Sequence, residues 1–225
     1  MTITPLDGPR VPAASGKAEQ LVILSHGYGA DGQDLIGLAP HWQRYLPTAA
    51  FVAPNAPERC EMQPMGYQWF PITGLNPAAL LAGVESAAPA LDAFIDQELD
   101  RHGLTDSQLA LVGFSQGTMM SLHVGLRREK SPACIIGYSG TLAGPELLKQ
   151  EMTVKPPVLL VHGDADEMIP AQATIMAAQA LGDAGLSAQW HVVPGLGHGI
   201  DPSGLDLGGR FLAEAFAGRL GAAGG

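Results

Sequence analysis

Serine attacks a carbonyl only where the chain strips steric cover from it and supplies a base. Gly113-Phe114-Ser115-Gln116-Gly117 has the G-x-S-x-G spacing that provides the first condition. The apolar run Leu109-Ala110-Leu111-Val112 reads as a strand just before it, and a helical pattern starts with Thr118-Met119-Met120 just after. A strand-to-helix turn that tight forces a strained backbone on the central serine, and the flanking glycines relieve contact with neighbouring elements. A bare pentapeptide match in a chain with 29 glycines would carry little. Its placement between strand and helix makes Ser115 the expected nucleophile, with the backbone N–H of Gln116 facing the negative charge that develops on attack.

A serine nucleophile needs a general base and an acid to orient it, in the chain order Ser, Asp or Glu, His for this kind of turn. Of seven histidines, His26, His41 and His102 precede Ser115. His123 lies two helical turns beyond it, His162 ends a strand and His191 lies within one. His198 alone sits in a late glycine-flanked loop, Gly195-Leu196-Gly197-His198-Gly199, and is the expected base. The acid must come from His162-Gly163-Asp164-Ala165-Asp166-Glu167, which offers Asp164, Asp166 and Glu167; the pattern does not choose among them. Early in the chain, Ser25-His26-Gly27-Tyr28-Gly29 follows an apolar strand where an oxyanion loop belongs, with the Tyr28 N–H as second donor. His26 is expected to fix that loop through hydrogen bonds.

These residues need a frame. Short apolar runs at Leu21–Ser25, Ala50–Ala53, Gln108–Gly113, Ala133–Gly137, Val158–His162 and Ala188–Val193 alternate with helical stretches, the pattern of a parallel sheet wrapped by helices. Helices are expected from Pro77 to about Arg101, Gln116 to about Arg128, Pro170 to about Leu181, and Pro202 to about Ala217. Asn76-Pro77 and Asp201-Pro202 supply a cap and a first helical residue. The aperiodic segment Pro54–Gly74, rich in Pro, Met and aromatics, is long for a loop and is expected to be functional or to carry a small insert.

The chain of 225 residues is expected to form a single domain, with 1–19 as an N-terminal extension and 219–225 as a frayed tail. Hydrophobic residues make up 46%, enough for a sizeable core, and the net charge of −10 disfavours nucleic acid as a partner. Cys60 and Cys134 are too few for a disulfide framework or metal cluster. No signal peptide is visible, and individual apolar runs fall short of the ~20 residues that span a bilayer. The expectation is a cytoplasmic protein without stable membrane insertion, with room for a weak homodimer. His162 and Asp164 lack convergent further ligands, so neither a metal nor a cofactor is expected.

Four ordered motifs, His26-Gly27-Tyr28-Gly29-Ala30-Asp31-Gly32, Gly113–Gly117, His162–Asp166 with Ile169-Pro170, and Gly197-His198-Gly199, together resemble the phospholipase/carboxylesterase family over about residues 20 to 218. The resemblance implies an α/β-hydrolase fold, with a mostly parallel central sheet, helices on both faces and no large cap domain. It places the acid on Asp166 and the oxyanion donors on Tyr28 and Gln116. It implies a serine carboxylesterase acting on a small-molecule ester or acyl substrate of short to medium chain, with acyl-protein thioesterase or lysophospholipase activity as alternatives. A non-catalytic ligand-binding hydrolase fold would be marked by loss of a triad member. Relatives often carry Leu at the first oxyanion position, so the Tyr28 ring is a departure. Without a cap, the rim falls to the Pro54–Gly74 segment, where Met65, Trp69 and Phe70 (beside Met62 and Tyr67) either contact an acyl chain or pack the loop onto the body.

Overall fold

The computed structural model describes residues 5–72, 74 and 76–220. Nine strands are formed: β1 (Arg10–Val11), β2 (Gln20–Ser25), β3 (Ala49–Val52), β4 (Glu58–Arg59), β5 (Tyr67–Gln68), β6 (Leu109–Phe114), β7 (Cys134–Tyr138), β8 (Val158–Gly163) and β9 (Ala188–Val193). Seven α-helices accompany them: α1 (Gly32–Ile36), α2 (Ala39–Gln43), α3 (Pro77–His102), α4 (Gln116–Gly125), α5 (Leu148–Glu151), α6 (Gln172–Asp183) and α7 (Pro202–Phe216). The main sheet runs β1-β3-β2-β6-β7-β8-β9, with every pair parallel except β1 on β3.

Alternation along the strands divides the interior in two, because successive side chains leave a strand on opposite faces. Leu21, Ile23, Leu109, Leu111, Ile135, Val158 and Leu160 pack with residues of α3, α4 and α6 on one face. Val22, Leu24, Ala110, Val112, Ile136, Leu159 and Val161 pack with Leu35, Ile36, Trp42, Phe211 and Leu212, from α1, α2 and α7, on the other. Helices thus cover both faces of a mostly parallel sheet, the α/β-hydrolase architecture.

One stretch differs from the sequence expectation. Of the expected N-terminal extension 1–19, the described residues 5–19 are more than an extension: β1 adds an antiparallel edge strand against β3, and Leu6 is buried in the core. The expected frayed tail falls largely on 221–225, outside the described residues. α3 as a whole is long and apolar enough to cross a membrane by length and composition, although no single apolar run is. Its Leu80, Val84, Ala87, Leu91, Phe94, Ile95 and Leu99 lie in the protein core, which accounts for that apolar character. The Asn76 side chain accepts from the Ala78 and Ala79 N–H groups at its start, and Pro77 takes the first helical position.

The topology sets where a ligand crevice forms. From β2 the chain crosses to β3 on one side and later returns to β2's other side as β6, so the connections diverge at the carboxyl ends of β2 and β6. Such a switch point opens a crevice in parallel sheets. Ser25 at the end of β2 is in register with Gly113 of β6, which brings the His26–Gly29 loop beside Ser115.

Candidate active site

Ser115 stands between β6 and α4 with φ 54° and ψ −115°, a conformation a non-glycine residue adopts only under constraint. The two motif glycines make that turn possible. A Cβ on Gly113 would come within 2.2 Å of the Gly117 carbonyl oxygen, and one on Gly117 within 1.8 Å of the Ser25 oxygen. The Ser115 N–H donates to the Tyr138 carbonyl at 2.8 Å, tying the turn to β7.

The His26–Gly29 loop abuts this turn. A Cβ on Gly27 would lie 3.3 Å from the Ser115 Cβ. Neither the Tyr28 nor the Gln116 backbone N–H finds an acceptor among the described residues. His26 is wholly buried and holds the loop. Its Nδ1–H donates to the Gly27 carbonyl at 2.7 Å, while Nε2 accepts from the Ala56 N–H at 3.0 Å. Burial lowers its pKa. The Tyr28 phenol is turned to Cys60 and the Met62 backbone, and its pKa is raised by burial first and by Cys60 second.

The Gln116 side chain accepts from the Trp69 N–H at 2.9 Å and donates to the Phe70 carbonyl at 2.8 Å. Trp69 Nε1–H in turn donates to the His26 carbonyl at 3.0 Å. β4 and β5 form a small antiparallel hairpin, and reciprocal bonds join it to the oxyanion loop: Gly29 N–H to the Tyr67 carbonyl (2.9 Å) and Tyr67 N–H to the Ala30 carbonyl (2.7 Å). The hairpin and the two residues after it therefore brace the His26–Ala30 loop.

That bracing corrects the expected substrate rim. Trp69 and Phe70 are 1% and 2% exposed and belong to the core, whereas Met65 is 87% exposed. Phe70 fills the notch left by Gly83, where a Cβ would come within 2.3 Å of its ring. The three residues do not share an open surface. Trp69 is buried because its ring nitrogen finds a carbonyl inside, and Phe70 because a glycine on α3 leaves it room.

Asp166 and His198 are brought together. Asp166 Oδ2 accepts from His198 Nδ1–H at 2.7 Å, and Oδ1 accepts from the N–H groups of Met168 (2.8 Å) and Ile169 (2.9 Å). Burial alone would raise the Asp166 pKa. The Ile169 N–H, the His198 ring and the Met168 N–H outweigh it and hold the carboxyl below its ordinary value. Asp164 goes elsewhere, accepting from the Gly195 N–H at 2.6 Å and so closing the loop that carries His198. Exposed Glu167 makes no side-chain bond to His198.

The His198 ring lies 5.0 Å from that of Phe114, the neighbour of Ser115, and is tilted 52° to it. The Ser139 hydroxyl donates to the Gly199 carbonyl at 3.1 Å, anchoring the loop one residue past the imidazole. Ser139 and Ser115 are the two non-glycine residues with positive φ among those described. No hydrogen bond joins Ser115 Oγ to His198 in this structure; catalytic contacts of this kind often tighten only on substrate binding. Among the described residues no three His, Cys, Asp or Glu side chains converge as a metal site.

Sequence reasoning missed three participants. His162 Nε2 lies 3.1 Å from Asp166 Oδ2, Ser139 anchors the base loop, and the Gln116 side chain braces the hairpin. For His162 a signal existed, since it opens the same H-G-x-x-D run that ends on Asp166.

Comparison with known proteins identifies the family. Residues 6–215 match the phospholipase/carboxylesterase family. The chain is 30% identical to an acyl-protein thioesterase 1 of Gibberella zeae over 227 residues, covering 92% of this chain and 94% of that protein. It is also 30% identical to the esterase YpfH of Escherichia coli over 186 residues, covering 82% and 78%. The crystal structure of esterase PE8 is similar with a TM-score of 0.91 at 46% identity, covering 94% of this chain and 99% of that one.

Proposed function

The chain belongs to the phospholipase/carboxylesterase family and is a carboxylic ester hydrolase, and from that premise we propose that it cleaves short-to-medium acyl esters through an acyl intermediate on Ser115. The observation that carries the reading is the Asp166–His198 hydrogen bond of 2.7 Å beside a serine held at φ 54° on a strand-to-helix turn. Ser115 Oγ attacks the acyl carbonyl as His198 Nε2 takes its proton. The Tyr28 and Gln116 N–H groups receive the oxyanion, and His198 returns the proton to the departing alcohol. Water then repeats the sequence on the acyl-serine and releases the carboxylic acid. Asp166 holds the His198 tautomer with Nε2 free to accept and stabilises the imidazolium.

A second reading, hydrolysis of acyl thioesters, is favoured by the relatives named acyl-protein thioesterases. It uses the same residues with a thiol as leaving group. Turnover of p-nitrophenyl esters of rising chain length, beside one acyl thioester and one lysophospholipid, tests both. The proposal expects the highest kcat/KM on esters of short or medium chain. A preference for the thioester would transfer the assignment to the second reading, and no turnover of any would make the chain a binding protein on a hydrolase fold.

A further inference from the structure

Two imidazoles converge on one carboxylate oxygen. His198 Nδ1 lies 2.7 Å from Asp166 Oδ2, and His162 Nε2, from the carboxyl end of β8, lies 3.1 Å from the same atom. His162 is wholly buried. Its Nε2 is also 2.8 Å from the Ile169 carbonyl, and its Nδ1 is 2.7 Å from Thr174 Oγ1 on α6. A carbonyl oxygen can only accept, so His162 Nε2 must carry a hydrogen, and in a neutral ring Nδ1 is then the acceptor of the Thr174 hydroxyl. The result is a buried chain from Thr174 through His162 to Asp166, meeting the one from His198.

Resting on the reading of Asp166 as the triad acid, we propose that His162 is a positioning residue that locks the Asp166 carboxylate and shares its charge with His198. Oδ1 is fixed by the Met168 and Ile169 N–H groups, and Oδ2 by the His198 N–H and by the His162 Nε2–H, which is bifurcated between Oδ2 and the Ile169 carbonyl; together they hold the carboxylate plane against rotation. The His162 N–H also draws charge from Oδ2, leaving less to stabilise a proton on His198. The other ionisable groups nearby are Asp164, which is engaged by the Gly195 N–H, and exposed Glu167. On the α6 side Nδ1 bonds the uncharged Thr174 hydroxyl.

Removing the donor should lower turnover and raise the proton affinity of His198, moving the acid limb of the kcat/KM profile to higher pH. The comparison is between His162→Leu, which keeps bulk without a donor, and His162→Gln, whose amide nitrogen reaches the Nε2 position. On a p-nitrophenyl ester, His162→Leu is expected to lose roughly tenfold or more in kcat/KM, the scale of one hydrogen bond to a charged group, with the limb displaced upward. His162→Gln should stay within a few-fold with the limb in place. Wild-type behaviour of His162→Leu overturns the proposal, as do equal losses in both variants with an unmoved limb. Should His162→Leu not fold, ¹⁵N NMR of histidine-labelled wild-type protein decides. The His162 ring must be protonated on Nε2 near neutral pH; protonation on Nδ1 would deny Asp166 its donor and end the proposal. Asp166→Asn in the same assay separates the two levels: retained turnover there would remove the triad reading itself, whereas its loss beside an unaffected His162→Leu removes only the role of His162.

Discussion

Asp164 and Asp166 sit two residues apart on one turn, yet their carboxylates serve different partners: Asp166 receives the His198 Nδ1–H at 2.7 Å, and Asp164 the Gly195 N–H at 2.6 Å. Asp166→Asn is therefore expected to cut kcat by up to about 10⁴ with the fold intact, because the imidazole loses its tautomer and its counter-charge. Asp164→Asn should hold kcat within about tenfold and lower the melting temperature, because it weakens one loop-closing bond. Measuring kcat and Tm for both decides, and reversed effects would make Asp164 the acid.

Trp69→Ala should act through stability rather than acyl recognition. The ring is buried and its nitrogen bonds the His26 carbonyl, so about 3–5 kcal/mol of folding stability is expected to go. Activity should fall alike for acetate and longer acyl esters as the oxyanion loop loosens. A KM that rises with chain length in the variant would return Trp69 to the substrate rim.

Most of the frame was legible because its signals are local. β6, the Ser115 turn and α4 follow from an apolar run, two glycines and a helical pattern, and His198 from being the one late histidine in a glycine-flanked loop. What escaped depends on contacts distant in sequence. β1, β4 and β5 are two residues each and exist through their pairing partners. Phe70 is core because Gly83 leaves a notch, and Gln116 reads as a motif variable until its amide meets Trp69 and Phe70. The choice of Asp166 over Asp164 came from the family motif, since both fit the spacing.

Acidification should destabilise the fold through His123. Burial, then the nearby Arg127 charge, pushes this imidazole down to about 4 from an ordinary 6.5, and its Nδ1 has no hydrogen-bond partner. The unfolded chain takes up the proton more readily, so the stability this neutral histidine permits is complete above about pH 6.5. It declines as pH falls toward about 4 and changes no further below that. Thermal midpoints across that range should fall more steeply for wild type than for His123→Leu. Parallel curves would show that His123 does not contribute; buried His26, whose pKa is also lowered, is present in both proteins.

Prolonged EDTA treatment should leave ester hydrolysis unchanged, because the proposed route draws its nucleophile from Ser115 and its base from His198. Loss of activity that Zn²⁺ restores would place the chemistry on a metal instead.

The central claim is that Ser115 carries the acyl group. Treating the protein with a fluorophosphonate and locating the adduct by peptide mass spectrometry tests it most directly. The expected result is one phosphonylated serine, Ser115, with ester turnover lost in step with labelling. Ser115→Ala should fold as wild type, take no label and lose about 10³-fold or more in kcat/KM. Labelling of Ser115→Ala at the wild-type rate, or turnover surviving in that variant, would contradict the account.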